Sequence, residues 1–125
     1  MKTAIIQTLD ENELECAAAL QQHVSRPEAL IIVYLASVND AHATGIGRGT
    51  GLSQPAISIA AARLAKRGWV THWVDDQHTG RGAPMHIYRL ATPIPSIIEQ
   101  LKNAVIEQSA SMAASLDKIK EMIKS

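Results

Sequence analysis

The chain has no phenylalanine, two tryptophans and two tyrosines. Leu, Ile, Val and Ala must therefore fill its core, and 125 residues suffice for one domain with an appended helix. A single cysteine, Cys16, excludes an internal disulfide framework and a four-cysteine zinc site. His23, His42, His72, His78 and His86 form no tight pair at ligand spacing on one element. His72 and His86 can face each other across a hairpin, but two imidazoles do not close a site, so neither metal nor cofactor is expected. No complete G-x-G-x-x-G occurs and no G-K-[ST] follows the glycines at 45–51, which removes dinucleotide and P-loop chemistry. No nucleophile–base constellation stands out, and no enzyme is expected. Ala29–Val38 is apolar but half the length needed to cross a bilayer, and Met1–Ile6 lacks the apolar run of a signal peptide. A cytoplasmic protein without a membrane partner is the expectation.

Net charge is also lacking, at +0, yet the charges are unevenly placed. Residues 1–43 carry two bases against six acids, residues 44–90 six bases against two acids, and residues 91–125 four of each. The positive excess therefore falls on the middle of the chain, a distribution that suits an anionic partner there.

That middle is also the richest in local signals. Asp10 with Glu13 resembles a capping box opening a helix over about 10–24, with Leu14, Ala17, Ala18 and Val24 as its apolar stripe. Ser25-Arg26-Pro27-Glu28 opens a second helix to about Val38, apolar nearly all round and expected to be central and buried. Thr44–Thr50 is expected to be a short helix weakened by its glycines, with Ile46 inward and Gly47 allowing close approach of the next helix. Gly51-Leu52 fits a tight turn, Ser53 an N-cap and Pro55 a first helical turn. Ile57, Ala61 and Leu64 then form an inward stripe until Gly68 stops the helix. Trp69–Val74 and Met85–Leu90 are β-branched and aromatic strands flanking a polar, Gly-rich loop.

Helix, strand, basic loop and strand in this order resemble the winged helix-turn-helix of transcriptional regulators in the MarR/ArsR/TrmB-like group. The resemblance rests on Gly51-Leu52-Ser53-Gln54-Pro55-Ala56-Ile57-Ser58, on Arg63-Leu64 with Arg67-Gly68-Trp69-Val70, and on Gly80-Arg81-Gly82-Ala83-Pro84 with Ile87-Tyr88-Arg89-Leu90. It implies a mainly α fold with a small β-hairpin wing: a DNA-binding domain over 1–92, its helix-turn-helix at about 44–67 and its wing at about 69–90. It further implies double-stranded DNA as partner, with the recognition helix 53–66 in the major groove and wing contacts from 75–84. On this chain the exposed positions towards the start of that helix are Gln54, Pro55, Ser58, Ile59 and Ala62, Gln54 suiting an adenine edge and Pro55 and Ile59 a thymine methyl, with Ser53 at the helix start also in the DNA-binding set. Thr44, Arg48, Arg63 and Arg81 would meet the backbone or minor groove. Relatives often carry a basic residue where this chain has Ile59. Arg89 is expected to be solvated or ion-paired.

After Pro93 and Pro95, Ile94, Ile98, Leu101, Val105, Met112, Ile119 and Met122 mark a heptad seam, with Gln108 and Ser115 as polar interruptions. A helix from 95 to 123 would be about 40 Å long, and the segment 93–125 is expected to pair with a second copy. The expected function is a homodimeric DNA-binding transcriptional regulator, a repressor by promoter occupancy, with room for a small-molecule effector but no sign of one. The alternative is a winged-helix protein-interaction or dimerisation module without sequence-specific DNA binding.

Overall fold

The computed structural model describes residues 8–75 and 85–124. The chain falls into two compact units, Met1–Ile94 and Pro95–Ser125. In the first unit the order is α1 (Glu11–Leu20), α2 (Arg26–Val38), β1 (Asp40–His42), α3 (Ala43–Thr50), α4 (Gln54–Lys66), β2 (Val70–Asp75) and β3 (Met85–Leu90). Helix α5 (Ile94–Ile123) follows.

Both expected capping boxes are present. Asp10 accepts from the Glu13 N–H at 2.8 Å while Glu13 accepts from the Asp10 N–H at 2.8 Å. Ser25 and Glu28 make the same exchange at 3.3 and 2.9 Å. These reciprocal bonds satisfy amides that a helix start leaves without partners. α1 is shorter than the sequence implies, because the chain turns after Leu20 instead of continuing to Val24. Its inward residues are Ala17 and Leu20, whereas Leu14 and Ala18 face solvent. Val24, the last residue of the expected stripe, is buried but lies beyond the helix end, and one leucine with small alanines does not decide which side of a helix is covered. α2 is the buried centre, with every residue from Glu28 to Leu35 inside, in contact with α1, α3, α4 and the sheet.

The wing region is a sheet of three strands, not a hairpin alone, in the order β1-β3-β2. The sequence gives no hint of β1, since Asp40-Ala41-His42 is too short to show an alternation. It pairs with β3 in the register Asp40↔Arg89, Ala41↔Tyr88 and His42↔Ile87, while β2 pairs with β3 from Val70↔Leu90 to Asp75↔Met85. Ala41, Val70 and Tyr88 therefore share the face that closes the core, and all three are buried. The opposite face carries Asp40, Arg89 and Trp73. Arg89 donates to both Asp40 carboxylate oxygens, at 2.7 and 3.0 Å, and its guanidinium lies 5.1 Å from the Trp73 ring centre. Arg89 is thus the ion-paired strand residue expected of it.

The Arg89 hydrogen bond holds the Asp40 carboxyl below the usual carboxylate range. A folded-state value below the unfolded one gives stability that is present at neutral pH and lost as pH falls through the depressed value. Asp40→Asn is therefore expected to lower the thermal midpoint slightly at neutral pH and to have no effect once the carboxyl is protonated. Melting curves of both proteins from pH 7 down to pH 2 check this. The effect is small because the pair is exposed.

Candidate nucleic-acid interface

Helix α4 starts where Ser53 accepts from the Ala56 N–H at 3.3 Å, with proline in its first turn. It ends in a Schellman arrangement: Trp69 N–H donates to the Leu64 carbonyl at 3.0 Å and Gly68 N–H to the Ala65 carbonyl at 3.0 Å. Gly68 at φ 81° makes that reversal without a Cβ clash, and Leu64 and Trp69 are both buried at the join. α4 is therefore fixed at both ends.

The turn before α4 is held as firmly. Gly51 sits at φ 80° and its N–H donates to the Gly47 carbonyl at 2.8 Å. The Thr50 hydroxyl donates to the Ile46 carbonyl at 2.6 Å and accepts from the Leu52 N–H at 3.2 Å. A Cβ on Gly47 would lie 3.2 Å from the Leu52 carbonyl oxygen and 3.0 Å from Gln54 Nε2. The absence of a side chain at 47 is what lets α3 and α4 approach this closely.

Ile57, Ala60, Ala61 and Leu64 form the buried side of α4. At about 100° per residue, the ridge directly opposite is Pro55, Ile59, Ala62 and Lys66, with Ser58 along one flank and Arg63 along the other. All six are exposed. Ile59 is 59% exposed, the most of any large apolar residue among the described residues of the first unit. Ser53 and Gln54 are exposed at the start of the helix, and Thr44 and Arg48 are exposed on α3. Among the described residues Arg48, Arg63 and Lys66 make no ion pair, whereas Arg67 stacks over Trp69 at 4.7 Å from the ring centre. Arg81, and the wing positions 76–84 in general, lie outside the described residues.

Gln54 differs from its expected role in one respect. Its side-chain N–H donates to the Ala43 carbonyl at 3.1 Å, so the amide links the start of α4 to the start of α3. A glutamine in a first helical turn gives no sequence signal for such a link. The adjacent Gly47, which leaves the room, is the only hint. Lys66, at the end of the outward ridge, is the residue that sequence reasoning left out of the surface.

In the second unit, α5 has Ile97 and Leu101 buried, and its residues from Lys102 to Ile123 are exposed. Ile98, Val105, Met112 and Ile119, at intervals of seven, are each 43–60% exposed, and Met122 is 74% exposed. Of the seam residues, Leu101 is buried and Ile94 half-buried in the single chain, so they stand apart from the exposed stripe.

The described residues hold no group of three or more His, Cys, Asp or Glu side chains able to hold a metal ion, and no helix is long and apolar enough to cross a membrane. His72 and His86 are neighbours across β2 and β3, with ring centres 6.1 Å apart.

Residues 24–82 match the MarR family. That segment contains α2, β1, α3, α4 and β2. No curated protein matches the chain by sequence. Among solved structures, BpsR of Bordetella bronchiseptica, whose DNA binding is regulated by 6-hydroxynicotinic acid, is similar over 87% of this chain and 90% of its own, with 12% identity and a TM-score of 0.52. MepR of S. aureus in its DNA-binding conformation covers 91% of each chain at 17% identity and a TM-score of 0.49. NadR in complex with 4-hydroxyphenylacetate covers 98% of this chain and 92% of its own at 15% identity and a TM-score of 0.47. At 12% identity the likeness to BpsR is one of fold.

Proposed function

We propose that this MarR-type chain acts as a homodimeric transcriptional repressor, placing α4 of each copy in successive major grooves and pairing through α5. The observation that carries the proposal is the presentation of α4. Its outward side is exposed, its ends are fixed, and among the described residues Arg63 and Lys66 on α4 and Arg48 on α3 make no ion pair. Ser58 and the apolar ridge would face base edges, while Thr44, Arg48 and Arg63 would meet phosphates that set the register without reading sequence. Repression follows from occupancy, since a dimer spanning two half-sites one helical turn apart excludes other proteins from a promoter. The chain's zero net charge is no obstacle, because two copies double the local basic surface.

The test is selection of binding sites from random genomic duplexes at two salt concentrations. A two-fold symmetric site whose affinity falls steeply with salt is the expected result. Arg63→Ala is expected to weaken binding to all sequences alike and, by leaving one phosphate without its cation, to reduce the slope of log affinity against log salt by about 1. Absence of binding at low salt would instead point to a winged-helix module for protein partners.

A further inference from the structure

The outward ridge of α4 is apolar where a base-reading helix most often carries hydrogen-bonding groups. Pro55, Ile59 and Ala62 follow each other at i, i+4 and i+7, directly opposite the buried side. None has a polar side-chain atom. Nothing in the fold accounts for Ile59 there: it takes no part in the core at 59% exposure, and a β-branched residue is a weaker helix former than alanine or lysine. The first-turn residue best able to bond a base, Gln54, already donates its amide to the Ala43 carbonyl at 3.1 Å. Arg63 and Lys66 lie a turn or more towards the C-terminal end of α4, placed for phosphates.

Resting on the DNA-binding reading above, we propose that α4 recognises its operator chiefly through thymine methyl groups. Pro55 and Ile59 would pack against the C5-methyls of a thymine-bearing step in the major groove, with Gln54 acting as a clamp between α3 and α4. In the major groove the thymine methyl is the one apolar feature that distinguishes a natural base pair. An apolar ridge with Arg63 along one flank and Lys66 at its far end fits a methylated base step inside a phosphate frame. It does not fit a guanine edge, which asks for a donor.

The test uses the full-length protein and the operator selected as above. Each thymine of a half-site is replaced in turn by deoxyuridine, which removes only the methyl and keeps every hydrogen-bonding group. The expected result is a loss of about fourfold at each thymine that the ridge touches, the effect of exposing one methyl, with an unchanged salt slope. Ile59→Ala is expected to abolish the difference between thymine and deoxyuridine at one position, since the methyl then has no partner. This exposed substitution leaves the core intact, and an unchanged melting curve confirms it. The complementary arm puts 5-methylcytosine in place of cytosine at the same step and is expected to recover part of the affinity that cytosine loses.

If the protein binds a symmetric, salt-sensitive site but deoxyuridine is tolerated everywhere, the methyl proposal is overturned and the DNA-binding reading stands. Selected sites with guanine opposite Ile59, or Gln54→Ala altering the preferred base rather than lowering stability, would overturn it equally. Failure to bind any duplex would overturn both readings.

Discussion

A Met112→Asp, Ile119→Asp variant is expected to sediment as a monomer and to bind its operator at least about a hundredfold more weakly than the parent, the loss that follows when two linked binding events become separate. Met112 and Ile119 are one heptad apart, 60% and 48% exposed, in line with Ile98 and Val105. A solvated helix of 30 residues has no reason to carry an apolar residue every seventh position unless another helix covers it. Placing a carboxylate at two successive seam positions requires burial of uncompensated charge in the pair, which outweighs what the remaining seam residues contribute. Single copies should be undamaged, because both positions face water and Ile97 and Leu101 remain in place. The check combines sedimentation with circular dichroism. Loss of the dimer with retained helix content is the expected outcome. A dimer that survives both aspartates would remove α5 from the interface.

The parts of this architecture that were legible in the sequence are those with a local cause. Asp10, Ser25 and Ser53 cap their helices as their side chains dictate, and Gly51 and Gly68 occupy the left-handed positions where a helix must stop. The stripe of Ile57, Ala61 and Leu64 is buried because its period matches the helix. What escaped was determined by partners distant in the chain. Strand β1 exists because Ala41 meets Tyr88 across the sheet, a pairing 47 positions apart that three residues cannot announce. Gln54 is a clamp because α3 comes within reach of it, and the same approach depends on Gly47. The surface of α4 was readable as a set of exposed residues. Its meaning as a ridge flanked by Ser58 and Arg63 needed the buried face to be fixed first.

Gly45 and Gly47 stand two positions apart in α3, on opposite sides of the helix, and are expected to respond to substitution with opposite signs. A Cβ on Gly45 would find only the Tyr34 hydroxyl, at 4.0 Å, so Gly45→Ala meets no obstruction. It should stabilise the protein by roughly 1 kcal/mol, the difference in helix propensity between the two residues. A Cβ on Gly47 would lie 3.0 Å from Gln54 Nε2, 3.2 Å from the Leu52 carbonyl oxygen and 3.6 Å from Ile57 Cδ1. Gln54 can swing away only by giving up its bond to Ala43. The Leu52 oxygen belongs to the backbone of the turn and moves only if the start of α4 moves with it. Gly47→Val adds two further carbons at that close approach, and overpacking of this kind costs about 2–3 kcal/mol. Denaturant titration of the two variants beside the parent measures both signs. The folded fraction of Gly47→Val is further expected to bind the operator poorly, because α4 would be displaced relative to α3 and in the proposed complex both helices meet the same stretch of DNA. If Gly47→Val were as stable as the parent and bound DNA equally well, the close approach of the two helices would have no part in presenting α4.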